Sequence, residues 1–399
     1  MSSNNTLSID CLKAILAGMD ITVRLDMLTN KLEITGMPPR YSAGNATNTL
    51  LVLLEDTLKA LSYKDANSTR ISGILAAIAD EKRFNPIKEW LEPGYWDGVS
   101  RVPVLYEILG VTQLKYMTYI RKWLIQCIAL ILNDENNPIG AEGILVLQGP
   151  QGIAKTSFFR KLVPFPKYFV EGASIDVQNK DSLLNALDAW ICELGELDST
   201  LKREQAALKA FVTAVRDRIR RPYARSATDT ARRTSFCGTV NSKDYLRDET
   251  GSRRFWTVPI SHIDKPRLFA LDDDFVFQLW LEIYELYRQN PTGFRLTDAE
   301  MKGLQEDNDS FTYPLAHEIE VRELLDFQLD SGGIWKWWKA SEVAEKFKPT
   351  ASAVQVGKVL TKIVKEEHES GRWTGCSGNV PETRERQKTN QYLLPIIHK

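Results

Sequence analysis

The chain has 399 residues, 43% of them apolar and 26% charged, proportions of a folded soluble chain that exclude wholesale disorder, a collagen-like repeat and a disulfide scaffold. At roughly 100–200 residues per domain, that length argues for two or three domains. Lys+Arg 51 against Asp+Glu 52 leaves a formal charge of −1, which speaks against nucleic acid only if charge is spread evenly along the chain.

Cys11, Cys127, Cys192, Cys237 and Cys376 stand far apart without a CxxC pair, which argues against a zinc ribbon and fits a reducing compartment. His262, His317, His368 and His398 lack metal-ligand spacing, so a metal is expected to be held by carboxylates, hydroxyls and phosphate oxygens. Met1 to Asp20 carries no basic segment followed by a long apolar one, and no run approaches the roughly 18 apolar residues of a membrane span. A cytoplasmic protein without a membrane partner is expected.

Residues 1–115 read as an N-terminal region, mostly helical or α+β, ending in a connector. Thr47 to Leu61 has helical periodicity in Leu50, Leu53, Leu54, Leu58 and Leu61. Trp90 to Pro103 combines prolines and glycines that imply turns with tryptophans that imply packing. Tyr116 to Leu132 predicts a helix with Ile120, Trp123, Leu124, Cys127 and Ile131 on its apolar face, ending at the polar Asn133–Pro138 break.

From Gly143 short apolar strands alternate with helices, an α/β signature that defines a second domain over 116–310. Gly143 to Leu162 is a strand, a tight loop and an amphipathic helix in that order. The loop Gly149, Pro150, Gln151, Gly152, Ile153, Ala154, Lys155, Thr156, Ser157 fits a P-loop: backbone N–H groups wrap ATP phosphates, Lys155 reaches the β/γ-phosphates and Thr156 ligates Mg²⁺. Ala154 stands where that pattern has glycine, a departure tolerated if its φ is negative.

A nucleotide hydrolase also needs carboxylates at the end of a neighbouring strand. Ala189 to Asp198 supplies Glu193 and Glu196 where an apolar run ends; Glu193 is assigned to Mg²⁺ and Glu196 to polarising water, and the two roles are interchangeable. Thr234 to Asn241 is a third strand whose terminal Asn241 suits sensing of the γ-phosphate. Beyond Gly251, Arg253 and Arg254 precede another apolar run, and either can serve as an arginine finger from an adjacent subunit.

The near-neutral total conceals a basic block. Lys209 to Arg233 holds eight basic residues against two acids, and its core, with Arg216, Arg218, Arg220, Arg221 and Arg225, suits a phosphate backbone, read as a loop facing a channel. Residues 311–399 predict three short helices and a hairpin, a winged-helix-like domain. From Gly333 to Lys399 twelve basic residues oppose seven acids. The third helix, Ser352 to Glu367, is read with Val354, Val356, Val359, Leu360 and Ile363 on its apolar side, and Trp335-Lys-Trp-Trp338 as core packing.

Five blocks resemble the virulence-associated E family: Tyr95-Trp-Asp-Gly-Val-Ser-Arg101, Leu147 to Thr156, Glu193-Leu-Gly-Glu196-Leu197, Arg221-Pro-Tyr223, and Gly238 to Asn241 followed by Gly251 to Trp256. Over about residues 85–310 this resemblance implies a superfamily 3-like helicase ATPase of AAA+ type in phages and phage satellites, usually a ring oligomer in DNA replication. It makes Lys155 and Thr156 the phosphate and magnesium contacts, Glu193 with Glu196 the acidic motif, Asn241 the sensor, and Arg253 or Arg254 the trans-acting finger. The expected protein is a hexameric Mg²⁺-ATP-dependent motor holding single-stranded DNA in its channel and duplex through the C-terminal domain. The alternative is an ATP-switched DNA-binding regulatory or assembly protein that does not unwind.

Overall fold

The computed structural model describes residues 6–195, 197, 207–220, 227–243, 245–246, 252–311, 318–325, 335–347, 349, 351–369, 382–386 and 389–395. The chain divides into two compact units, Met1–Phe311 and Thr312–Lys399.

The first unit begins with the helix Ile9–Gly18 and an antiparallel hairpin, β1 (Thr22–Asp26) and β2 (Leu32–Thr35), joined in parallel by β3 (Arg83–Phe84). Helices Ala46–Ala60 and Ser68–Asp80 close a core in which Leu12, Leu50, Leu54, Leu58, Ile71 and Leu75 are fully buried. Leu61, expected on that apolar face, is exposed. The helix ends at Ala60 and Ser62 turns left-handed at φ +66°, so the chain leaves the helical path before Leu61 can complete the stripe.

The connector is ordered by a distant carboxylate. The helix Val102–Ile108 has no side-chain cap of its own. Buried Glu282 supplies it, accepting from the N–H groups of Arg101 at 2.6 Å and Val102 at 3.3 Å and from the Ser100 hydroxyl; a carboxylate there satisfies orphan donors and favours the positive helix end. Pro103, expected in a turn, instead lies in the first turn of this helix, where a missing N–H costs nothing.

The helix Leu114–Ile131 is buried on nearly all sides rather than along one face. Its polar members are internally paired: Lys122 Nζ donates to Glu300 and to Arg295 O, both at 2.6 Å, and Gln126 bonds to the backbone of Glu142 and Gly143. Such all-round burial marks the middle of a core.

The central sheet contains β4 (Ile144–Gln148), β5 (Phe169–Ala173), β6 (Ile191–Leu194), β9 (Ser235–Val240) and β10 (Phe255–Pro259), all parallel, in the order β10-β4-β9-β6-β5. Continuous apolar runs form its inner strands because both faces are covered. The chain leaves β4 for the far edge, returns through β6 and β9, and then crosses to β10 on the other side of β4. The carboxyl end of β4 is therefore a topological switch point, the crevice in which open α/β sheets bind ligands.

Between β6 and β9 an antiparallel hairpin, β7 (Arg216–Ile219) and β8 (Thr228–Ala231), accounts for part of the basic block. In the second unit, β11 (Trp335–Lys339), β12 (Glu382–Arg386) and β13 (Thr389–Pro395) form an antiparallel sheet, β13 central. With it come helices Glu318–Arg322, Ala340–Phe347 and Ala353–Glu369. Of the tryptophan cluster only Trp338 is buried; Trp335 and Trp337 are half-buried on the other face, as strand alternation requires. Val354, expected on the apolar side of Ala353–Glu369, is exposed. At about 100° per residue it lies some 200° from Val356, across the helix.

Candidate functional site

The carboxyl ends of β4, β9 and β6 and the start of the helix Lys155–Lys161 surround a cleft of about 390 Å³. Gly149 makes the turn out of β4, and a Cβ there would lie 2.1 Å from Ile260 O, so only glycine fits. Two left-handed residues then shape the loop: Gly152 at φ +78° and Ala154 at φ +79°. The condition of a negative φ at Ala154 is thus not met. The alanine adopts a left-handed conformation that suits glycine and bears the strain of its methyl group, about 1–2 kcal/mol.

Ala154→Gly is accordingly expected to stabilise the chain by up to about 1 kcal/mol, because the added freedom of glycine in the unfolded chain returns part of that strain. Urea denaturation measures it as a raised midpoint at unchanged slope.

Lys155 is 7% exposed. Its Nζ donates to Gly149 O and Pro150 O at 2.7 Å and to Asn241 Oδ1 at 2.9 Å. Burial lowers its pKa from the ordinary lysine value, with the Glu193 carboxylate pulling the other way. Glu193 is 1% exposed. Its Oε1 accepts from the hydroxyls of Thr156 at 3.1 Å and Thr239 at 2.6 Å, and its Oε2 from the Gly172 N–H at 2.7 Å. Lys155, Thr156, Glu193 and Asn241, read from three separate stretches of sequence, thus meet in one cleft. Glu196 lies outside the described residues.

Thr239, Gly172 and Lys265, whose Nζ donates to Gly152 O at 2.9 Å, were missed. Thr239 sits within an apolar buried strand and Gly172 contributes only its backbone; neither leaves a side-chain pattern to read. Thr156 and Glu193 offer hard oxygen donors side by side, a set that fits Mg²⁺ completed by phosphate and water. No cluster of three His, Cys, Asp or Glu able to hold a metal alone occurs among the described residues.

Arg253 and Arg254 lie in a short turn immediately before β10. Phe255 pairs with Ile144 and Pro259 with Gln148, so the arginines stand at the amino end of the strands, about 17 Å of strand from the glycine loop. They cannot reach their own chain's cleft.

The hairpin base stands at that same end, and its charges are largely internal. Arg232 is fully buried, bonded through two nitrogens to Asp217 at 2.5–2.9 Å and lying between the rings of Phe211 and Phe236. Glu135, in the polar break after the long helix, accepts from Arg216, Arg233 and the Ala231 N–H. Arg216 also pairs with Asp229 at 2.7 Å. The expectation of a basic loop is corrected here: 216–219 is a strand, and Arg216 clamps its base. Arg218 and Arg220 are exposed; Arg221 and Arg225 lie outside the described residues.

The family described as the virulence-associated protein E-like domain matches residues 91–313, more than half of the chain. Among solved structures, the apo NrS-1 C-terminal region is similar at 14% identity and a TM-score of 0.43, over 96% of this chain and 98% of that one. JCV helicase, solved with a substituted acetamide bound, is another similar structure, at 10% identity and a TM-score of 0.29, over 61% of this chain and 75% of that one. No curated protein matches. Among the described residues no helix is long and apolar enough to cross a membrane.

Proposed function

Because the chain belongs to the virulence-associated protein E-like domain family, we propose that it is a Mg²⁺-ATP-dependent, ring-forming DNA helicase of replication initiation in a phage or related mobile element. The observation that carries this reading is the convergence of Lys155, Thr156, Glu193, Thr239 and Asn241 on one cleft at the switch point of a parallel sheet. Lys155 would neutralise the β/γ-phosphates, Thr156 with Glu193 would hold Mg²⁺, and Asn241 would report on the γ-phosphate. Held there, Mg²⁺ would supply positive charge against the phosphates.

The strand order, with β4 between β9 and β10, supports an AAA+-type core. Placement of Arg253 and Arg254 opposite the glycine loop supports a ring, here a hexamer, in which one copy's arginine completes its neighbour's cleft. The hairpin would carry Arg218, Arg220, Arg221 and Arg225 to single-stranded DNA. β9 links the two functions: its six residues are all buried, Arg232 lies three positions before its first residue and Asn241 directly after its last. Loss of the γ-phosphate at Asn241 would then be felt at the hairpin base. The helix–strand–helix–helix–hairpin order of the second unit supports a winged-helix reading and duplex contact there.

The test is ATP-driven displacement of a labelled strand from forked DNA by wild type and Glu193→Gln. Displacement by wild type alone is expected; equal displacement by both, or none without loss of ATP turnover, sinks the helicase. The latter outcome is that of an ATP-switched assembly protein, a reading favoured by the strained Ala154.

A further inference from the structure

The segment that follows β10 braces the glycine loop at both ends. Ile260 N–H donates to Gln148 O at 2.8 Å, and Ile260 O fills the space that a side chain at 149 would need. Five residues on, Lys265 Nζ donates to Gly152 O. Lys265 is otherwise exposed and lies 113 residues away in the chain.

A trans peptide plane is rigid, so the C=O of Gly152 and the N–H of Ile153 point in opposite directions. Gly152 lines the cleft, whereas Lys265 does not. With the Gly152 carbonyl held on Lys265, the Ile153 N–H is fixed in the opposite direction, between two residues, Gly152 and Ala154, that line the cleft. Glycine itself supplies no such preference, because it populates positive and negative φ about equally. Without an outside hold, the Gly152–Ile153 peptide is free to flip and present a carbonyl where a phosphate needs a donor.

We propose that Lys265 is a positioning residue for nucleotide binding: it locks the Gly152–Ile153 peptide so that the Ile153 N–H faces the diphosphate. This rests on the nucleotide reading of the cleft. The ligand class is any nucleoside di- or triphosphate, since the group oriented is one that cradles α/β-phosphates.

Binding of ADP and ATP by titration calorimetry, in wild type, Lys155→Ala, Lys265→Met and Lys265→Arg, tests both layers. Lys265→Met is expected to weaken ADP and ATP alike by about five- to tenfold, the worth of one preorganised hydrogen bond, and Lys265→Arg to recover most of it. The ATP KM rises while kcat holds. Raising NaCl to about 0.5 M leaves the loss in place, because that salt screens a through-space charge effect but not a peptide orientation. If Lys155→Ala binds as wild type does, the cleft reading fails. If Lys155→Ala loses binding while Lys265→Met does not, or its loss vanishes in high salt, the positioning role is overturned.

Discussion

Lys155→Ala is expected to lower ATP hydrolysis about a thousandfold while the chain keeps its fold, the size of effect seen when a preorganised donor is removed from developing charge. The fold survives for reasons visible around the ammonium. Of its three acceptors, Asn241 Oδ1 lies on the open cleft and Pro150 O on an exposed residue, so both can turn to water, and only Gly149 O stays buried. Removing the lysine also removes a desolvated charge, whose lowered pKa shows that burial outweighs the attraction of Glu193. The net change in stability is therefore expected within about 1 kcal/mol.

The same pKa sets a second signature. A lysine whose folded pKa lies below its ordinary 10.5 binds its proton more weakly in the folded state, so its contribution to stability is present above 10.5 and lost as pH falls through the lowered value. Wild type should gain stability relative to Lys155→Ala across that window. Chemical denaturation of the two proteins at several alkaline pH values measures the difference; parallel curves would contradict it. Nucleotide turnover equal to wild type would remove Lys155 from the chemistry altogether.

The strand–loop–helix around Lys155 was legible because an uninterrupted apolar run, a glycine turn and a Lys-Thr pair each carry a local signal. Glu193 and Asn241 were legible as polar residues closing apolar runs. Their partners were not. Thr239 is one buried position among six in β9, and nothing in its neighbours distinguishes a hydroxyl that bonds a carboxylate from one that packs. Lys265 acts on a backbone oxygen 113 residues away, a relation that exists only once β10 lies beside β4. Ala154 was visible as a departure, but its φ was not, because one residue type does not fix the conformation that the loop imposes on it. The basic block misled in an instructive way. Counting charges cannot separate Arg218, which is exposed, from Arg232, which is buried against Asp217.

That distinction sets the second large effect. Asp217→Ala is expected to destabilise the chain by about 3–5 kcal/mol, because it strands a buried guanidinium whose remaining acceptor among the described residues is Phe211 O. The double variant Asp217→Ala/Arg232→Met should recover most of that loss. A methionine between Phe211 and Phe236 fills similar space without a charge to desolvate, and buried ion pairs exchanged for well-packed apolar residues are often neutral. Stability and function then separate. In the refolded double variant the hairpin keeps Arg218 and Arg220 but loses the pair that ties β7 to the start of β9. Binding to single-stranded DNA should weaken only modestly, since the outward arginines remain, whereas stimulation of ATP turnover by DNA should fall strongly, since the tie between hairpin and Asn241 is cut. Urea midpoints, DNA affinity and DNA-stimulated turnover measured on the single and double variants decide it. Full stimulation in the double variant would show that coupling between the hairpin and the cleft runs through another path, with Glu135 and its bonds to Arg233 and Ala231 the next to cut.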